Sequence, residues 1–215
     1  GKDAKPHIGI FGRRNYGKSS LINAMANQEI AIVSDYAGTT TDPVKKSMEI
    51  PGIGPVVLID TAGIDDEGEL GKKRIAKTRG VLKTIDLALL VVANNEYGHY
   101  EKALCDDFAK QEIPYVIAFN KADIKPPENR LLNEIRKQTG KDAVVVSALE
   151  RSNIDLLIDS MRTAIPESAY RSRSLVGDLL SYGDVVLLIT PIDIEAPEGR
   201  MILPQVQAIR DILDN

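Results

Sequence analysis

The sequence predicts an α/β fold: a mainly parallel six-stranded sheet covered by helices, with one antiparallel strand at its edge. Two observations carry this. Short apolar runs rich in β-branched residues recur at 8–11, 56–59, 87–92, 115–119 and 143–146, and segments of helical periodicity separate them. Alternation of that kind makes parallel neighbours joined by crossover helices. The exception is the pair 44–50 and 56–59, joined only by Pro51, Gly52, Ile53, Gly54 and Pro55. That connection is too short for a crossover, so the pair must form a hairpin.

Helices are expected at 18–27, 72–83, 100–111, 127–139 and 153–164, the last closed by Pro166, which cannot continue a helix. Residues 167–174 turn polar and contain Arg171 and Arg173, a solvated linker. Beyond it, the apolar run 185–190 and a helix over 204–213 read as the start of a second α/β domain. The expected organisation is therefore a domain over 1–166, a linker over 167–174 and an incomplete second domain over 175–215. Some 40 residues with one strand and one helix make too small a core to stand alone.

Composition narrows the function classes. The chain has 215 residues, 43% of them apolar and 27% charged, as in an ordinary globular protein. A formal charge of -4, and no block of five like charges, give no basis for nucleic-acid binding. No apolar run approaches the roughly 20 residues of a membrane span, and the N-terminus lacks a signal-peptide core, so a cytoplasmic protein is expected. Cys105 is the single cysteine, and with only His7 and His99 beside it no cluster cage or four-ligand zinc site can be assembled. Any metal must be held by oxygen.

Directly after the first strand stand Gly12, Arg13, Arg14, Asn15, Tyr16, Gly17, Lys18 and Ser19, the pattern G-x-x-x-x-G-K-S/T opening into a helix. This is a P-loop. Its glycines let backbone N–H groups turn inward as an anion nest, and the helix N-terminus adds partial positive charge. Lys18 is placed to reach the β- and γ-phosphates, Ser19 to ligate Mg2+, and Arg14, Asn15, Tyr16 and Ser20 to complete the nucleotide contacts. The strand ending at Asp60 continues into Thr61, Ala62 and Gly63, where the carboxylate can hold Mg2+ and the Gly63 N–H can meet the γ-phosphate. Between these elements lie Thr39, Thr40 and Thr41 in an unpatterned stretch suited to a loop that orders around the ion. Thr40 is the expected ligand, with Thr39 the alternative.

Two further strand ends specify the base. One carries Asn120, Lys121, Ala122 and Asp123; the other carries Ser147, Ala148 and Leu149. An ionised Asp123 only accepts, so it needs two adjacent donors, which the ring N–H and amine of guanine supply. Adenine presents an acceptor there and should bind about 10³-fold more weakly. GTP and GDP are thus the expected ligands, with hydrolysis resting on Lys18, Thr40 and Gly63.

Cys105 reads as a core thiol, and His7 and His99 as surface polar groups, the latter in a loop over 97–100. The acidic run Asp65, Asp66, Glu67 and Glu69 reads as a solvated loop, with a catalytic or coupling carboxylate as the alternative.

Over 8–165 these elements resemble the translation-factor-like P-loop GTPases, in the branch of tRNA-modifying and ribosome-assembly GTPases. The stretches GRRNYGKSSLINA, SDYAGTTTDPVKKSMEIPGIGPVVLIDTAGIDDEGELG and GDVVLLITPIDIEAPEGRMILPQVQAIRDIL resemble the FeFe-hydrogenase maturation GTPase family, HydF. Ribosome and tRNA relatives usually carry arginine where this chain has Thr41. The resemblance implies a GTP-dependent switch in maturing the di-iron cofactor, with hydrogenase and cluster-assembly proteins as partners and a homodimer formed through the C-terminal part. The implied Cys/His-rich cluster domain has no counterpart here, so no iron–sulfur cluster is expected on this stretch. A ribosome-assembly or tRNA-modification GTPase is the alternative. Ile64 follows Gly63 where Ras-like enzymes place a water-orienting glutamine. Resemblance to cation-dependent relatives implies a K+ ion instead, held partly by Asn15 and partly by loop carbonyls before Gly38.

Overall fold

The computed structural model describes residues 5–26, 44–61, 80–170, 184–189 and 209. The chain divides into two compact units, one of which is Lys5–Tyr170. In that unit the elements run β1 (His7–Phe11), α1 (Lys18–Met25), β2 (Val44–Ile50), β3 (Gly54–Asp60), β4 (Leu87–Val92), α2 (His99–Lys110), β5 (Tyr115–Phe119), α3 (Asn129–Thr139), β6 (Val144–Val145) and α4 (Ile154–Ala164). They form one six-stranded sheet in the order β2-β3-β1-β4-β5-β6. Every pairing is parallel except β2 with β3, the hairpin expected from the short connection. Its turn needs glycine: Gly52 and Gly54 hold φ of 87° and 98°.

The central strand shows why parallel strands read as unbroken apolar runs. Leu87, Leu89 and Val91 face one core layer, with Leu21, Met25, Leu157 and Met161 from α1 and α4. Ala88, Leu90 and Val92 face the other, with Leu104, Phe108, Leu131 and Ile135 from α2 and α3. Both faces of the strand are covered, so no position is left for a polar residue. Phe108 packs against Phe11 and Tyr115, with ring centroids 5.1 and 5.3 Å apart.

Element ends shift for local reasons. Helix α2 starts at His99, so this residue is the first of a helix and not part of a loop. Helix α3 starts at Asn129, later than expected: Glu128 is extended and forms the N-cap, and its N–H, which a first helical turn leaves without an acceptor, donates to Asn95 Oδ1 at 2.8 Å. After Pro166 the chain makes a 3-10 turn at Glu167–Tyr170, and Ala169 packs into the α1–α4 core layer. Of the helix expected over 72–83, residues 80–82 are helical and 72–79 lie outside the described residues.

The run 184–189 joins no sheet among the described residues, where the sequence pattern suggests a strand over 185–190. Its exposure alternates: Val185, Leu187 and Ile189 stand open at 84% or more, while Val186 and Leu188 are below 40%. The period of two is that of a strand; a ladder also needs a partner backbone.

Candidate functional site

The P-loop connects β1 to α1 and its path depends on glycine at both ends. Gly12 has φ 141°, and a Cβ there would lie 2.4 Å from the Val91 carbonyl oxygen of β4. Gly17 has φ 84°, and a Cβ there would lie 2.5 Å from Asn120 Nδ2. Asn15 between them is also left-handed, at φ 63°. This backbone turns N–H groups inward and delivers them to the start of α1, which has no side-chain cap. The Lys18 ammonium arcs over the loop and donates to the Gly12 and Arg13 carbonyls at 2.8 and 3.0 Å.

A cavity of about 580 Å³ opens over the loop, lined by Arg14, Asn15, Gly17, Lys18, Ser19, Ser20, Asp60, Thr61 and Lys121. Asp60 ends β3, one strand over from the loop, and Thr61 fastens that end by donating its hydroxyl to the Ile10 carbonyl at 2.6 Å. Asp60 Oδ1 is buried without a hydrogen-bond partner. Burial pushes its carboxyl above the usual carboxylate range, and the charges of Lys18 and Lys46 pull it back. An orphaned carboxylate oxygen sharing a cavity with Ser19 fits a hard cation with oxygen ligands, and Ser19 and Asp60 would hold it. Among the described residues no group of three or more His, Cys, Asp or Glu side chains is placed to hold a metal.

The loops after β5 and β6 meet the P-loop through Asn120. This side chain is 1% exposed, donates to the Tyr16 carbonyl at 2.9 Å and accepts from the Ala148 N–H at 3.1 Å. Asn120 is thus a tie between three loops, and the Ala148 N–H is taken up by it. Asp123 Oδ1 accepts from the Ser147 hydroxyl at 2.6 Å, while that hydroxyl accepts from the Glu150 N–H. Leu149 stands 80% exposed beside them in sequence.

Not every expected contact faces the cavity. Tyr16 is buried, and its hydroxyl donates to Glu96 Oε2 at 2.6 Å, so only its backbone belongs to the nest. Thr40 and Gly63 lie outside the described residues, as do Gly38, Thr39, Thr41, Ile64, Asp65, Asp66, Glu67 and Glu69. Cys105 is buried and its thiol is pushed up to about 11 by desolvation, as suits a core residue. His7 opens the interior strand β1, with Nδ1 3.8 Å from Asp86, and is partly exposed.

The structure adds supports that the motifs do not mark. Arg13 forms a two-pronged pair with buried Glu101, at 2.7 and 3.1 Å. Asn94 and Asn95, both left-handed, clasp the segment after Asp123: Lys125 Nζ donates to the Asn94 carbonyl, and Asn95 binds the Pro126 carbonyl and the Glu128 N–H. Arg151 donates to the Ala24 carbonyl and steadies the far end of α1. The Gly98-x-x-Glu101 spacing of a helix start was the one signal available for Glu101.

A strand feeding a glycine-bounded nest, a lysine folded over it and a carboxylate with an orphaned oxygen at the neighbouring strand end define a P-loop nucleotide-binding domain. Residues 7–121 match the family described as 50S ribosome-binding GTPase, and the chain belongs to that family of GTP-hydrolysing P-loop proteins, whose members in general bind GTP, GDP and Mg2+. Residues 175–215 match a second family, described as the hydrogen maturase F dimerization domain. The tRNA modification GTPase MnmE of Lactobacillus helveticus is 38% identical over 152 residues, covering 69% of this chain and 32% of that protein. GTPase Der of Wolinella succinogenes is 35% identical over 159 residues, covering 70% of this chain and 34% of that protein. The chain spans about a third of the length of these curated relatives. Among solved structures, Aquifex aeolicus Era bound to GDP and AlF4- superposes with a TM-score of 0.61 at 26% identity, covering 76% of this chain and 58% of that one. The G domain of the T. maritima FeoB iron transporter matches in fold, with a TM-score of 0.57 at 20% identity over 75% of this chain and 99% of that one. Among the described residues no helix is long and apolar enough to cross a membrane.

Proposed function

We propose that this chain is the Mg2+-dependent GTPase part of a cytoplasmic switch that serves maturation of the FeFe-hydrogenase di-iron cofactor. The observation that carries the reading is the pairing, on one chain, of a GTPase domain with a stretch similar to the hydrogen maturase F dimerization domain. In this reading Lys18 and the nest bind the phosphates, Ser19, Asp60 and Thr40 hold Mg2+, the Gly63 N–H meets the γ-phosphate, and Asp123 reads guanine. When bound, Mg2+ would neutralise negative charge on the triphosphate. A K+ ion held partly by Asn15 would supply further positive charge at the phosphates, Ile64 being unable to orient the attacking water; the support is that Asn15 lines the cavity.

The unit that runs to Tyr170 would then act on the part from 175 onward, through which two copies pair. Val185, Leu187 and Ile189, exposed on one side of an extended run, are the surface this pairing would cover. Light scattering of the chain cut after Ser174 against the full chain tests it: a dimer only with the C-terminal part supports the reading, and two monomers overturn it.

A second reading follows from the relatives named MnmE and Der, a tRNA-modification or ribosome-assembly GTPase. Deleting the gene separates the two. Loss of hydrogenase activity, restored by the intact gene and not by its Lys18→Ala form, with tRNA modification and ribosome profiles unchanged, supports maturation. Intact hydrogenase activity with altered tRNA or ribosomes overturns it.

A further inference from the structure

We infer that Glu101 and Arg13 are positioning residues that hold the P-loop in its phosphate-ready shape, with Glu96 and Tyr16 as a second tie. Glu101 is fully buried at the first turn of α2, outside the nucleotide cavity. Its Oε1 accepts from Arg13 Nε at 2.7 Å, and its Oε2 accepts from Arg13 Nη2 at 3.1 Å and from the Gly98 N–H at 2.7 Å. Four residues along the loop from Arg13 through Tyr16 are therefore held at both ends, because the Tyr16 hydroxyl donates to Glu96 Oε2, itself 3.9 Å from Arg13 Nη1.

A buried carboxylate is costly unless a cation pairs with it, so Glu101 commits Arg13 to α2. The planar fork fixes the guanidinium in orientation as well as position. Glu101, by its hydrogen bond, and Glu96 raise the affinity of Arg13 for its proton, in keeping with that commitment. Backbone follows side chain: the Arg13 carbonyl held in this way accepts from Lys18 Nζ, the group that meets the phosphates. On the opposite side Asn120 holds the Tyr16 carbonyl. Arg14 and Asn15, between the two fastened positions, line the cavity. The nest is thereby ordered before nucleotide arrives, and ordering it beforehand strengthens the binding of diphosphate and triphosphate alike. Gly98 permits the arrangement, since a Cβ there would come within 3.2 Å of Arg13 Nη2.

The inference rests on the P-loop reading, and the test separates the two. The 215-residue chain and its Glu101→Gln, Arg13→Lys and Tyr16→Phe forms are titrated with fluorescent GDP and GTP analogues, and hydrolysis is followed over a range of GTP. Expected is a rise of about tenfold in Kd for both nucleotides, and in KM, for Glu101→Gln and Arg13→Lys, a smaller rise for Tyr16→Phe, and kcat within about twofold. A merely structural role would lower kcat per total protein by reducing the folded fraction and leave KM unchanged, which overturns the inference. Tighter binding or faster hydrolysis by Glu101→Gln also overturns it, because Arg13 would then be a phosphate ligand held back by Glu101. Should Glu101→Gln fail to fold, unchanged Kd values in Arg13→Lys and Tyr16→Phe overturn it as well. An unmodified chain that binds neither nucleotide defeats the P-loop reading itself.

Discussion

The Asn120 carboxamide donates to the Tyr16 carbonyl at 2.9 Å, joining the start of the loop after β5 to the end of the P-loop. With its oxygen on the Ala148 N–H, one buried side chain sets the distance between three loops. Asn120→Ala leaves a buried carbonyl and N–H short of partners, which costs about 1–3 kcal/mol. Affinity for GDP and GTP should fall by about 5- to 150-fold, the same energy read as a ratio, with a lower urea midpoint. Gly17→Ala drives a Cβ to 2.5 Å from the same carboxamide and should lose nucleotide binding by a steric route. Calorimetric titration checks both, and an Asn120→Ala form that binds as the parent does would show that the tie is dispensable.

Guanine selection should rest on Asp123, oriented by the Ser147 hydroxyl at 2.6 Å. Asp123→Asn is expected to weaken GTP by about 10³-fold while accepting XTP, whose carbonyl replaces the guanine amine. Ser147→Ala, which removes the orienting bond and the one the hydroxyl accepts from the Glu150 N–H, should weaken GTP by about tenfold without changing the base preference. Competition among GTP, XTP and ATP decides this; tight ATP binding by the unmodified chain would contradict it.

Hydrolysis is expected to run faster in KCl than in NaCl at equal ionic strength, because a K+ ion at Asn15 would offset charge growing between the β- and γ-phosphates. The Asn15→Ala form should lose most of that difference while still binding GDP. Equal rates in the two salts, or an unchanged potassium response in Asn15→Ala, ends the proposal.

Cys105 offers a test of the core away from the site. Burial raises its folded pKa to about 11, above the roughly 8.5 of an exposed thiol. A group with a raised folded pKa gives stability that is fully present below the unfolded value and is lost as pH rises through the folded one. The urea midpoint of the parent should therefore fall between about pH 8.5 and 11 by more than that of Cys105→Ala. At pH 8 the native thiol should resist alkylation and react freely in urea. Parallel pH curves, or rapid labelling of the native protein, would refute the assignment.

The sheet and its antiparallel edge were legible in the residue pattern, which also marked the P-loop and the loops expected to read guanine. These depend on local relationships: apolar runs of strand length, a connection too short to cross over, and residue types at fixed spacing next to strand ends. Gly12 and Gly17 were legible because their roles lie in backbone conformation. Which of these side chains line the cavity depends on packing between distant segments. Tyr16 and Asn120 look like contact residues in the motifs, yet the fold turns one onto Glu96 and makes the other a buried tie. Glu101 carries no motif beyond a helix-start spacing, and the burial that binds it to Arg13, 88 positions away, arises only when β1 and β4 lie side by side. Local pattern records what a residue can do; packing selects among those abilities, because burial sets which charges must be paired and with whom.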